Sequence, residues 1–278
     1  MPFKQAMLMS AFWIGLAAAF AVFVHHRLGP TKALEFTTGY LLEEALSVDN
    51  LFVFILFFSY FKVPPEEEKT VLFWGIIGAL IMRGFFIWAG VTLIEQFHWI
   101  LYAFGLFLIW TGFQLLRSSG KTKDPSKNVV LKFFRRVLPF TDTFEGKRFI
   151  VRRDGKMLFT PLLLVLLVVE TTDVLFATDS IPAILAITRD PFIVYTSNVF
   201  AILGLRSLYF ALAGMMKVFH YLHYGLSIVL MFIGAKMLLP DEYDVPIWAA
   251  LAVVAGVLTL SVLASVLFPK KQPKSENL

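Results

Sequence analysis

The sequence contains no cysteine, which excludes a disulfide framework, a thiolate metal site and a cysteine nucleophile. Charged residues are also scarce, at 16% of the chain, whereas soluble domains carry about 25%. Hydrophobic residues make up 58%, and phenylalanine alone contributes 30 side chains. This composition predicts an all-α polytopic membrane helical bundle. It argues against a nucleic-acid-binding protein despite the net charge of +5, because in membrane proteins the position of charges matters more than their sum.

Eight apolar stretches are long enough to cross the roughly 30 Å hydrocarbon core of a bilayer. They span residues 7–24, 36–61, 71–94, 99–116, 158–187, 192–216, 221–239 and 245–268. The first has no clear cleavage site, which favours a retained helix over a removed signal peptide. If the spans alternate, one side receives 19 Lys and Arg residues and the other receives four. The positive-inside rule then predicts that both termini are cytoplasmic.

The basic segment 118–157 is the one sizeable predicted loop outside the membrane. Within it, Val129–Leu138 mixes apolar and basic residues in a pattern typical of a helix on the membrane surface. An Asp154-Gly155 turn between two short apolar runs predicts a β-hairpin. Two roles stay open for this loop: a connector held on anionic lipid, or a regulatory or partner-binding segment.

The two halves of the sequence resemble each other. Glu43-x5-Asp49-Asn50 matches Asp173-x5-Asp179-Ser180 at an offset of 130 residues, and similar matches follow in the next two spans. Each repeat would contain three helices, and an odd number gives the second copy inverted topology, as in many secondary transporters. The predicted organisation is an N-terminal helix and loop (1–35), a first repeat (36–117), the basic loop (118–157), a second repeat (158–240), and a C-terminal helix with a basic tail (241–278).

Acidic residues inside apolar spans are the main functional signal. A carboxylate at mid-bilayer costs about 2.5–3.5 kcal/mol on insertion scales, so it needs a partner, a proton or a cation. The predicted metal ligands are Glu43, Asp49, Asn50, Glu170, Asp173, Asp179 and Ser180, with Glu44 as an additional candidate. Residues i and i+6 of a straight helix lie about 120° apart, so convergence requires the acidic helices to bend or unwind. Pro182 predicts such an interruption in the fifth span, and symmetry suggests one in the second.

Structural salt bridges are the alternative interpretation, in which the acids pair with Arg83 and Arg206 inside the membrane. Six carboxylates against two guanidinium groups leave an excess of four, which favours ion handling. The arginines are interpreted as charge partners or gating residues. All predicted ligands are oxygen donors, which suit a hard divalent ion such as Mn²⁺ or Ca²⁺. Clustered carboxylates repel one another when ionised, so an empty site would hold protons, and cation/proton exchange is the hypothesis.

Three stretches resemble the TerC family of membrane proteins: Gly39–Val53, Val169–Ala183 and Thr196–Arg206. The resemblance implies a relationship to lysine exporters and a role in manganese efflux, with Glu43, Asp49, Asp173 and Asp179 as the family's acidic residues. It also implies a multi-pass protein of the bacterial inner membrane, with the thylakoid membrane as the alternative. Some relatives are linked to tellurite resistance or to metal supply for exported enzymes.

A metal exporter is therefore the leading functional prediction, with no permanently bound cofactor and no enzymatic activity. The expected partners are a divalent ion, protons, the lipid bilayer, and a second copy or another membrane protein. An intramembrane aspartyl protease is less well supported because the sequence lacks a Gly-x-Gly-Asp pattern. A membrane scaffold in tellurite resistance or in metallation of exported proteins stays open.

Overall fold

The computed structural model describes residues 3–118, 129–153, 155–213, 221–240 and 245–267. Within these ranges the chain forms nine helices and one two-stranded sheet. In chain order the elements are α1 (Phe3–Leu28), α2 (Pro30–Phe61), α3 (Pro65–Gln96), α4 (Ile100–Ser118), α5 (Val129–Val137), β1 (Ile150–Arg153), β2 (Lys156–Phe159), α6 (Pro161–Leu185), α7 (Pro191–Ala213), α8 (Leu222–Leu238) and α9 (Ile247–Leu267). The predicted all-α membrane class is confirmed.

Each of the eight predicted apolar stretches coincides with a helix. Six of these helices, α1, α3, α4, α6, α7 and α9, are long and apolar enough to cross a membrane. Helix α8 is apolar but only 17 residues long, and α2 has 32 residues and carries several acids. The structure therefore supports a multi-pass protein, while the count of eight crossings stays a prediction.

Proline and glycine mark the helix boundaries. A proline is the first residue of α2, α3, α6 and α7, where its missing N–H is not needed and its fixed φ suits the helix. Gly29 separates α1 from α2 with a φ of 92°, a conformation that side chains with a Cβ disfavour. Lys62 ends α2 in the left-handed region, with a φ of 51°. These turns are tight, so consecutive helices run back across the bundle.

The predicted interruption of α2 and α6 is wrong. Helix α6 is continuous through Pro182, because this proline lies in the last turn and removes only one hydrogen bond near the end at Leu185. The Pro182 carbonyl still accepts a hydrogen bond from the Ala186 amide at 3.1 Å. Helix α2 is likewise continuous. The fifth span also starts later than expected, at Pro161, because residues 156–159 pair in a hairpin.

The two predicted elements of the basic loop are confirmed. Strands β1 and β2 pair in antiparallel fashion from Ile150 opposite Phe159 to Arg153 opposite Lys156. Helix α5 buries Leu131 in a cluster with side chains of α2 and α6, and leaves Phe133 59% exposed. An exposed phenylalanine beside basic residues is the arrangement expected of a helix at a membrane surface.

Four helices enclose the polar centre of the bundle. Helix α2 packs against α7, and α3 packs against α6, while α4 and α8 form the most extensive pair. Helix α3 shows how the chain separates its faces. Ile81, Phe85 and Trp88 are 58–68% exposed on one side, as expected for lipid-facing residues, whereas Arg83 and Ile87 are buried on the other. Helix α3 therefore turns its arginine inward and these three apolar side chains outward.

Candidate functional site

The guanidinium group of Arg83 lies at the centre of the candidate site. Its Nη1 atom donates to the Glu43 carboxylate, to Asn198 Oδ1 at 2.7 Å and, more weakly, to Ser180 Oγ at 3.4 Å. Its Nη2 atom lies 3.4 Å from Asp173 Oδ1. Arg83 itself is only 1% exposed. One side chain of α3 thus joins polar residues of α2, α6 and α7.

Helix periodicity explains why these residues converge without a break in either acidic helix. Asp173 and Ser180 are seven residues apart, so they lie on the same face of α6 two turns from each other. Ser47 lies one turn from Glu43 in α2, and its Oγ is 3.5 Å from the Glu43 carboxylate. The polar face of each helix is therefore continuous and points to Arg83.

The charges of this cluster do not balance. Glu43 and Asp173 supply two carboxylates, while Arg83 supplies one guanidinium, and all three side chains are at least nine-tenths buried. Asp173 Oδ2 and Arg83 Nε are buried with no hydrogen-bond partner among the described residues. Buried charges are costly unless paired and fully hydrogen-bonded, so the cluster retains capacity for a further ligand.

A cavity of about 30 Å³ adjoins the cluster between α2, α3, α6 and α7. Its polar lining comes from Glu170, Asp173 and Arg206, and the rest is apolar. The Glu170 carboxylate packs directly against Gly78 of α3, where any Cβ atom would collide with it. A cavity needs about 10–15 Å³ to hold one water, so this one can hold about two.

Three other predicted site residues form no hydrogen bond or ion pair with Arg83 in the described part of the structure. The Asp179 carboxylate interacts with the side chain of Thr111 in α4, on a different face of α6 from Asp173. Glu44 has a buried Oε2 atom with no partner among the described residues. Arg206 is exposed, and no described side chain forms an ion pair with it. The structure thus divides the predicted set into residues that contact Arg83 and residues that do not.

The remaining two predicted ligands, Asn50 and Asp49, both belong to α2. Asn50 is buried in α2, with 7% exposure. Asp49 belongs to the same helix, but its side chain lies outside the described part of the structure. Among the side chains that are described, no three of His, Asp and Glu are grouped closely enough to form a metal site. The predicted ligand set stays a prediction.

Sequence reasoning missed Asn198 as a site residue. Asn198 is 1% exposed, accepts a hydrogen bond from Arg83, and donates its own N–H to the Val194 carbonyl at 3.2 Å. The available signal was an amide side chain within an otherwise apolar span, since such a group needs a partner at membrane depth. Asn198 holds the guanidinium from the side of α7.

A second polar cluster connects α2 with the α6–α7 loop. Lys32 Nζ lies 2.9 Å from Glu35 and 3.1 Å from Asp190, and the Thr188 hydroxyl donates to Glu35. About a third of the Lys32 side chain is exposed, so solvent screens these pairs. The cluster fixes the start of α2 against the neighbouring loop, at the opposite end of α2 from Phe61.

Comparisons with known proteins give one family match and several relatives. A family model described as "Integral membrane protein TerC family" matches residues 28–273. "Uncharacterized membrane protein STKORF319" of Myxococcus xanthus is 47% identical over 274 residues, which covers 99% of this chain and 86% of the relative.

Two further relatives carry the name "Putative membrane-bound redox modulator Alx". The one from Salmonella typhi is 46% identical and covers 95% of this chain and 84% of its own length. The one from Escherichia coli K12 is 45% identical, with coverage of 94% and 84%. No solved structure matches the chain significantly.

Proposed function

The chain belongs to the TerC family of integral membrane proteins, and we propose that it exports divalent metal cations, with Mn²⁺ as the favoured cargo. The observation that carries this proposal is the convergence of Glu43 and Asp173 on Arg83 in the middle of the bundle. Two carboxylates against one guanidinium leave one negative charge in excess. A bound cation would neutralise it, and intramembrane acids commonly mark ion pathways.

The donor chemistry supports a hard divalent ion as cargo. Glu170 and Asp173 both line the cavity, and carboxylate and hydroxyl oxygens are the ligands that Mg²⁺, Ca²⁺ and Mn²⁺ accept. A cavity of about 30 Å³ suits a small ion that keeps part of its water shell. Ca²⁺ is the second candidate, and no permanently bound cofactor is proposed.

Cation/proton exchange is the proposed mode of transport. When the metal leaves, the freed carboxylates are stabilised by taking up protons, since buried like charges repel. Metal uptake into inside-out vesicles should therefore accelerate when the lumen is made acidic relative to the outside. Transport that does not respond to an imposed proton gradient would contradict this mode.

A metal-by-metal measurement of cellular content tests the export proposal. Cells that produce the protein should contain less Mn²⁺ than cells without it when external Mn²⁺ is raised. Asp173→Asn should abolish this difference, because it removes a charge from the central cluster. Asp142→Asn is the matched control, since Asp142 is exposed in the loop between α5 and β1. If no divalent ion changes in content, export is refuted.

We propose that the protein resides in the bacterial inner membrane with both termini in the cytoplasm. The bacterial relatives support this location. The charge distribution of the loops supports the orientation. Reporter enzymes fused to each end, one active in the cytoplasm and one active outside it, test the orientation directly.

A membrane scaffold for tellurite resistance or for metallation of exported proteins is the competing function. The observation in its favour is the folded basic segment of α5, β1 and β2, which could bind a partner. Asp173→Asn separates the two, because a scaffold would keep its phenotype.

The relatives' name suggests a redox role, but a chain without cysteine has no thiol chemistry for one. We propose no enzymatic activity.

A further inference from the structure

The two three-helix units pack against each other in a symmetric pattern. Offsets of 130, 123 and 122 residues align α2 with α6, α3 with α7 and α4 with α8. Helix α2 packs against α7, and the aligned partners of these two helices, α6 and α3, also pack against each other. Helix α4 packs against its own aligned partner, α8. A pseudo-two-fold axis in the membrane plane relates the helix pairs in this way.

The contact between α4 and α8 shows the same pseudo-symmetry at the level of single residues. A Cβ atom added at Gly105 would lie 2.9 Å from the carbonyl oxygen of Gly234. One added at Gly112 would lie 2.8 Å from the carbonyl oxygen of Ser227. The offset of 122 aligns Gly105 with Ser227 and Gly112 with Gly234, and so converts one contact into the other. The pseudo-symmetry axis therefore passes between α4 and α8.

The two intramembrane arginines break this symmetry. Arg83 aligns with Arg206, just as Glu43 aligns with Asp173. Arg83 is buried and pairs with both acids. Arg206 is exposed and lines the cavity beside Asp173, with no ion pair to a described side chain. The two arginines thus occupy equivalent positions in the repeat but have different burial and different partners.

We propose that the protein has a second conformation in which Arg206 replaces Arg83 between Glu43 and Asp173. This inference rests on the proposed transport function, because alternating access requires two conformations of similar stability. The exchange keeps one guanidinium on the two buried carboxylates in both conformations, so neither conformation leaves both carboxylates without a cationic partner. Both arginines cannot occupy the place together, because their like charges repel at short range in a low dielectric.

Pseudo-symmetry also locates the cavity of the second conformation. Phe54 lines the present cavity, and its aligned partner is Ile184 in α6. Ile184 is 1% exposed and closes against Gly39, where an added Cβ would lie 2.8 Å from the Ile184 Cδ1 atom. In the second conformation this contact opens, and Ile184 lines a cavity toward the opposite membrane face. Phe54 and Ile184 therefore report on the two conformations separately.

Thiol labelling can measure this exchange, because the chain has no cysteine of its own. Phe54→Cys and Ile184→Cys are made one at a time, and their reaction with a membrane-impermeant maleimide is timed in vesicles of both orientations. Each cysteine should react from one membrane face only, and the two faces should be opposite. Arg206→Gln removes the replacement for Arg83, so labelling at Ile184→Cys should fall by about a hundred-fold while labelling at Phe54→Cys persists.

Arg83→Gln is the mirrored test. It should slow labelling at Phe54→Cys and accelerate labelling at Ile184→Cys, because Arg206 is still present to hold the acids. Arg206→Lys keeps the positive charge and should restore part of the Ile184→Cys labelling. Two results would overturn the proposed replacement of Arg83 by Arg206. One is labelling at Ile184→Cys that Arg206→Gln leaves unchanged, and the other is an Arg83→Gln protein that fails to fold. Failure of the transport proposal would give a different result. The labelling at Phe54→Cys and Ile184→Cys would still shift in opposite directions, but the protein would not change the metal content of cells.

Discussion

The close contact between α4 and α8 makes a quantitative prediction about Gly234. A Cβ atom at this position would lie 2.6 Å from the carbonyl oxygen of Gly105, and the obstacle is backbone that cannot rotate away. Real Cβ atoms essentially never approach closer than 3.0 Å, so Gly234→Ala must separate the helices by at least 0.4 Å, the difference between 2.6 and 3.0 Å. Overpacking of this kind costs about 1–3 kcal/mol.

The matched control is Gly256→Ala in α9, where an added Cβ meets nothing within 4 Å. Both glycines lie in helix interiors, so both substitutions gain a similar helix propensity of about 1 kcal/mol, and their difference isolates the clash. At about 2–4 °C per kcal/mol, Gly234→Ala should melt about 2–12 °C below Gly256→Ala. Thermal unfolding in one detergent, followed by size-exclusion chromatography, measures this. Equal melting temperatures would refute the predicted contact.

Three further predictions concern the polar clusters. Asn198→Leu should lower the free energy of unfolding by about 1.5–3 kcal/mol, because it removes a buried hydrogen bond to charged Arg83, measurable by thermal unfolding. Gly78→Ala should displace the Glu170 carboxylate and raise the KM for metal uptake into vesicles by about five-fold, the equivalent of about 1 kcal/mol. Lys32→Ala should change the unfolding free energy by less than about 1 kcal/mol, and added salt should reduce that change, because its ion pairs are partly exposed.

Controls for the first two substitutions lie nearby. Ser197→Ala removes a hydroxyl that donates to the Val194 carbonyl within its own helix, so it should cost less than Asn198→Leu. Gly75→Ala adds a Cβ that makes only an ordinary contact of 3.5 Å with Val169, so it should leave the KM near its original value. If either control matches its partner variant, the specific contact is not the cause of the effect.

Much of the fold follows from local sequence patterns. Apolar runs of sufficient length predicted the helices, because burying polar backbone in a bilayer requires internal hydrogen bonds. The Asp-Gly turn predicted the hairpin, and the alternation of basic and apolar residues predicted α5. The predicted interruption at Pro182 was wrong because the consequence of a proline depends on its distance from the helix end, and that end could not be located from the sequence.

Local sequence patterns predicted the candidate site only in part. Helix geometry correctly separates Asp173 from Asp179 by about 120° around α6. It does not indicate that Asp173 meets Arg83 while Asp179 meets Thr111, because those partners depend on how α6 is rotated against α3 and α4.

Arg83 and Arg206 illustrate the remaining gap. The sequence establishes a membrane protein with acids and arginines at matching places in its two halves, since hydrophobicity, charge and helix period are properties of neighbouring residues. The predicted repeat would make the two arginines equivalent, so no local pattern indicates which of them is buried. Tertiary packing places Arg83 between Glu43 and Asp173, brings Asn198 to it, and leaves Arg206 at the cavity. That choice depends on contacts between four helices far apart in the chain.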